Sequence, residues 1–130
     1  MTLLLIQEVA EYLENASVGT RGTDIFVSSL PESPDNCIAL FENSGVEANK
    51  YVPLENPSFQ VLIRNTSYAT GRAKAEDVKD VFLRKNNVEL TTGGTHALFI
   101  HPVADVGYIG RDKNDRHEWS INFNMRIRTS

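Results

Sequence analysis

From Trp119 to Arg128 the chain alternates without a break. Trp119, Ile121, Phe123, Met125 and Ile127 are apolar, and Ser120, Asn122, Asn124, Arg126 and Arg128 between them are polar. Side chains on a strand repeat every second residue, so the pattern buries one whole face and leaves the other polar. At about 100° per residue a helix would scatter the same apolar set around its axis, and a helix is excluded. The preceding run, Gly110 to Arg116, is rich in turn formers and reads as a hairpin tip. A long strand with a polar face serves assembly as readily as chemistry.

The rest of the chain supplies the partners for that strand. Residues 2–15 read as an amphipathic helix capped by Thr2, with Leu5, Ile6, Val9 and Leu13 inward and Glu8, Glu11 and Glu14 on the opposite side. Gly19 and Gly22 stop it. Residues 24–30 form a short strand closed by Pro31 and Pro34, and Cys37–Glu42, apolar on both faces, reads as a central strand. Residues 43–57 lack a period and read as an extended loop containing Tyr51.

Phe59–Arg64 is a strand with Phe59, Val61 and Ile63 on one face. Ser67 or Thr66 caps a helix from about Tyr68 to about Asn86, with Ala75, Val78, Val81 and Phe82 buried and Arg84 and Lys85 at the negative end of its dipole. Gly71 and nearby alanines keep its first turns slim. Val88–Leu90 is a short segment before a Gly93–Gly94 turn, His96–His101 is a strand, and Val106–Gly110 leads into the hairpin. The order is helix, two or three strands, helix, three strands. It predicts one α+β domain over residues 1–130, a mainly antiparallel sheet with both helices on one face and a long C-terminal hairpin strand.

Charge and cysteine usage narrow the function. Thirteen basic and seventeen acidic residues leave a net charge of −4, which argues against gripping nucleic-acid phosphate but suits a surface past which DNA slides. The single cysteine, Cys37, excludes an intrachain disulfide and a cysteine-rich metal site. The opening apolar run lacks a basic n-region and is soon interrupted by Gln7 and Glu8, so it does not read as a signal peptide. No membrane association is expected, since nothing approaches about 18 consecutive apolar residues. Asn15–Ser17 and Asn65–Ser67 match the glycosylation pattern by chance.

Each constellation with catalytic potential has a plainer reading. His96 and His101, five apart on one strand, should face opposite ways, and His117-Glu118 lacks a second histidine. Asp112, Asn114, Asp115 and Glu118 resemble a calcium loop, but Arg116 and His117 fall on its fifth and sixth positions. Asp112 and Asp115 pair instead with Arg111, Lys113 or Arg116. Cys37 has no basic neighbour or helix N-terminus in sequence to poise a thiolate and reads as a small buried hydrophobe. No phosphate loop occurs, and Asp77 and Asp80 face solvent from a helix. Arg126 and Arg128, with Arg64 level with them, are the one basic feature; they read first as a solvated face and, more sharply, as a contact for a neighbouring subunit's carboxylates.

The residues Asp24-Ile-Phe, Leu30-Pro31, Pro34-Asp-Asn and Ile38–Asn43 with Gly45 resemble the opening half of the minor capsid proteins of tailed bacteriophages. Asn56–Arg64, Tyr68, Gly110-Arg-Asp, Arg116 and Asn122-Phe-Asn continue the resemblance, whereas Asn86–Gly94 and His101–Val106 show no matching residue. The family is similar to the tail terminators of long-tailed phages. The resemblance implies a virion protein with no enzymatic activity and no cofactor, assembled in the host cytoplasm. It implies a homo-oligomeric, commonly hexameric ring at the head-proximal end of the tail, touching the tail tube protein and head–tail connector proteins while DNA passes through its lumen. Subunit or tube contacts are expected at Tyr51, at Arg111, Asp112, Lys113, Asp115 and Arg116 of the hairpin tip, and at Arg126 and Arg128. The alternatives are a head-completion or stopper protein of the same joint and, in a different class, a small cytoplasmic α+β enzyme or ligand-binding domain.

Overall fold

The structure, a computed structural model, describes residues 4–46, 54–83, 85–91 and 94–128. Helix α1 (Leu5–Asn15) starts where the Leu4 amide donates to Gln7 Oε1 at 2.9 Å, and the expected cap at Thr2 lies outside the described residues. It ends at Ala16, and Ser17 turns left-handed with φ 65°. Strands β1 (Ile25–Val27), β2 (Cys37–Val46) and β3 (Leu54–Asn65) follow. Both β2 and β3 run into the expected 43–57 loop, because ladder pairing continues through Asn43↔Ser58 and Val46↔Asn56 although the residues there carry no hydrophobic period. The expected strand at 24–30 keeps only three residues.

Helix α2 (Tyr68–Phe82) starts at Ser67, whose hydroxyl accepts from the Thr70 amide at 3.3 Å. It stops short of the expected Asn86, since Leu83 is already extended (ψ 124°). Lys79, not Arg84 and Lys85, is therefore the basic residue of its last turn; Lys85 opens strand β4 (Lys85–Glu89) and Arg84 lies outside the described residues. Strand β4 is a strand that no alternation announced: it is almost wholly polar and pairs with β5 (His96–Pro102) at the edge. Strands β6 (Gly107–Arg111) and β7 (His117–Arg128) form the hairpin.

The sheet order is β1-β2-β3-β7-β5-β4, with β6 also on β7. Among the described strand pairs only β1 with β2 is parallel. Strand β7 is the hub. It pairs along its length with β3, while its other edge is shared between β6 near Trp119 and β5 near Met125. The inward residues of β7, Trp119 to Ile127, are all buried, as the alternation requires. The architecture is α+β, with two helices against a mostly antiparallel sheet.

Aromatic rings lock the two layers. Phe59 of β3 and Phe123 of β7 stack at 5.0 Å, Phe82 of α2 meets both edge-on at 5.4 and 5.1 Å, and Tyr12 of α1 stacks on Phe82 at 5.6 Å. At the other end of α2, Gly71 lies directly against the Trp119 ring.

Three details depart from the sequence reading. Glu8 is buried rather than solvated: its carboxylate accepts from the Thr95 amide at 2.7 Å, from Thr91 Oγ1 at 2.9 Å and from the Thr95 hydroxyl. A buried carboxylate is tolerated here because the loop donates three hydrogen bonds to it. His96 and His101 do not face opposite ways. A bulge between Ala97 and Phe99 puts both Ala97 and Ile100 in the core, which leaves the two histidines on the outer side. Arg64 is not level with Arg126 and Arg128; it pairs across from Glu118 and is buried.

Candidate assembly surfaces

The first surface is the corner where the hairpin tip meets the 31–36 loop. Asp112 folds the tip by accepting from the Asn114 and Arg116 amides, both at 2.9 Å, and Asp115 takes φ 61°. Arg116 then turns inward, 3% exposed, and its guanidinium donates to Asp112 at 2.8 Å, the Glu32 carbonyl at 2.5 Å and Asp35 at 3.2 Å. Arg64 approaches the same loop from β3, donating to the carbonyls of Pro31 (2.6 Å), Pro34 (2.7 Å) and Asp35 (3.1 Å). A proline-rich loop has few amides to satisfy its own carbonyls, and two arginine forks supply the missing donors.

The Asp112 carboxyl is held below its ordinary range, first by the Arg116 amide and then by the Asn114 amide and the Arg116 guanidinium. Arg111, Lys113 and Asp115 remain exposed on the outside of this corner, with Arg111 bonded to Asp115 at 3.0 Å and Lys113 3.7 Å from Glu32. Of the tip residues expected to make contacts, Arg116 and Asp112 are thus committed within the chain, whereas Arg111, Lys113 and Asp115 are presented. Tyr51 lies outside the described residues.

The second surface is the outer side of β7. Arg126 and Arg128 are exposed there. Arg126 Nε donates to Asn56 Oδ1 at 2.9 Å, and its guanidinium carbon lies 5.6 Å from the Phe99 ring centre. His101 stacks on the other partner of that pair, Phe99, at 5.1 Å.

The third is an aromatic group at the start of α2. Tyr68 and Tyr108 are about half-exposed and meet at 5.3 Å, both touch Trp119 at 5.5 Å, and Tyr108 Oη is hydrogen-bonded to His117 Nδ1 at 2.8 Å. Exposed Ile109 extends it along β6.

Cys37 is buried, and burial pushes its thiol pKa up, against the weaker pull of Arg64 and Arg116. A raised thiol pKa disfavours the thiolate, and His117 and His101 are engaged with Tyr108 and Phe99. Among the described residues no group of three or more His, Cys, Asp or Glu side chains is placed to hold a metal, and no helix is long and apolar enough to cross a membrane.

Residues 12–129 match the family model described as bacteriophage tail terminator protein. The chain belongs to the bacteriophage tail terminator family. This tail terminator is thereby a structural protein of phage tails. Its fold is similar to that of a chain in a solved structure described as the virion of a native gene transfer agent particle, with TM-score 0.69 and 18% identity over 95% of this chain and 94% of that one. At that identity the likeness establishes the fold. No curated protein matches the terminator chain.

Sequence reasoning missed Arg64, Glu32 and Asp35 as parts of the terminator's corner. The only trace was the pair Pro31 and Pro34 around acidic residues, which marks a loop short of amide donors without saying which arginines fill it.

Proposed function

We propose that the chain, acting as one domain, forms a homo-oligomeric ring of six that caps the tail tube and joins it to the head connector. Membership of the tail terminator family across residues 12–129 carries this reading. The exposed tip residues Arg111, Lys113 and Asp115 are the contacts with the tube, since the Arg64 and Arg116 forks hold that corner rigid and a rigid corner loses little entropy on docking. Asp112 and Arg116 act behind them, and Tyr51 is a further contact. Arg126 and Arg128 meet a neighbouring subunit. The net charge of −4 lets DNA pass the lumen without sticking. No catalysis and no cofactor enter the role, and the protein sits at the head-proximal end of the virion tail after assembly in the host cytoplasm.

Native mass spectrometry of the purified protein and electron microscopy of tails test this. A closed ring at the tube end is the expected result, and a strict monomer in both settings would sink the proposal. Particles lacking the protein separate it from the stopper reading: tails of uncontrolled length mark a terminator, and leaky filled heads mark a stopper.

A further inference from the structure

The two layers of the domain present exposed charges of opposite sign that have no ion-pair partner among the described residues. On the outward side of α2, Asp77 and Asp80 stand one turn apart and exposed. The basic residues of that helix bond to other groups: Arg72 pairs with Glu76 at 2.5 Å, Lys74 donates to the Val18 carbonyl at 2.9 Å, and Lys79 pairs with Asp105 at 2.7 Å while also lying in the field of Asp80. Among the described residues neither Asp77 nor Asp80 has an ion-pair partner.

On the far side of the sheet the sign reverses. Arg126 rests on neutral groups, Asn56 and the Phe99 ring, which fix its direction without cancelling its charge. Arg128 has no ion-pair partner among the described residues. The neighbouring outward positions Ser58, Asn124 and His101 bring no carboxylate, and the exposed Glu89 stands one strand further out, across from His96. Helix α2 packs on β3, β5 and β7, the same strands whose outer side surrounds these arginines. A line through the domain therefore enters at two carboxylates and leaves at two guanidinium groups. They lie on opposite sides and cannot meet within one copy.

We propose that the outer face around Arg126 and Arg128 receives the Asp77–Asp80 face of α2 from a second copy of this chain. The inference rests on the ring reading and names its subunit contact. A contact between two different faces is head-to-tail, the kind that builds a ring when its rotation closes and an open filament when it does not. Arg126 is already aimed, so a bidentate carboxylate pair forms with little further ordering.

Charge reversal tests it through the order of mixing. Arg126→Glu with Arg128→Glu, and separately Asp77→Arg with Asp80→Arg, should each put like charges in every contact and weaken association by roughly a hundredfold or more. Circular dichroism melts confirm that each variant is folded, which is expected because all four positions are exposed. An equimolar mixture of the two should recover rings, alternating and even-numbered, because every contact in them is again complementary. The chain carrying all four substitutions should form rings alone. Native mass spectrometry at low and high salt reads all of this, and high salt should weaken the wild-type ring. Rings that persist after reversal of either face overturn the contact while leaving the ring reading standing, including the case in which the arginines line the lumen. Folded variants that fail to recover on mixing overturn it as well. A wild type that is monomeric in solution and in tails removes the ring reading itself.

Discussion

Gly71→Ala sets two effects of known sign against each other. Alanine is the better helix former by about 0.8–1 kcal/mol in a helix interior, so propensity alone makes the substitution stabilising. Packing opposes it. A Cβ at position 71 falls 2.2 Å from Trp119 Cζ3, 2.5 Å from Trp119 Cη2 and 2.7 Å from the Asn65 Cβ, closer than unstrained carbon atoms approach. Neither neighbour is a flexible tip that swings aside. Trp119 is 1% exposed and is flanked by Tyr68 and Tyr108 at 5.5 Å and by His117 at 6.0 Å. Overpacking of this kind costs about 1–3 kcal/mol, and the absence of slack places this case toward the upper end. The net expectation is a loss of about 1–2 kcal/mol. At about 3–5 °C per kcal/mol for a chain of this size, the melting temperature falls by about 3–10 °C. Thermal melts at fixed protein concentration read the loss directly. Trp119 is the only tryptophan, so a red-shifted emission reports its displacement. Ala73→Gly, exposed on the same helix, supplies the propensity scale without the clash. A Gly71→Ala protein as stable as the wild type, or more so, would refute the reasoning.

Three further outcomes are expected. Ser67→Ala removes the acceptor for the Thr70 amide and should cost about 1 kcal/mol, seen as a lower urea midpoint at unchanged slope. Glu8→Ala leaves the Thr95 amide and the hydroxyls of Thr91 and Thr95 without their acceptor, so exchange of the Thr95 amide should accelerate and stability drop by about 1–3 kcal/mol. Asp112 has a folded pKa below its unfolded value near 3.9, so the stability it contributes is present above about pH 4 and is lost as pH falls through the folded pKa. Melts of the wild type and Asp112→Asn should therefore differ at neutral pH and converge in acid; curves that stay parallel down to pH 2.5 would contradict it.

What the sequence disclosed follows from where each signal resides. The inward residues of β7 and the Phe59, Val61 and Ile63 face of β3 were legible because strand alternation records burial locally. Ser67 was legible because a cap acts within three residues. Glu8 was misread because a helical pattern describes one helix and is blind to a loop more than eighty residues away that donates to it. Strand β4 stayed hidden because an edge strand needs only ladder partners, and Lys85–Glu89 advertises none. One extra residue in β5 reversed the facing of His101, an error that alternation cannot detect. At the candidate surfaces, Arg126 and Arg128 were found by pattern, whereas the inward turn of Arg116 depends on carbonyls brought from Glu32, eighty-four residues away.

The place of β7 in the sheet also sets an order of events during synthesis. Its two long neighbours, β3 and β5, both leave the ribosome before it, and no ladder joins them to each other. Without His117–Arg128 no ladder among the described strands connects β1-β2-β3 with β5-β4. The face that carries Arg126 and Arg128 does not exist as a surface before that strand is in place. A chain interrupted before His117 therefore lacks both the central strand that joins the two halves of its sheet and the arginines at 126 and 128.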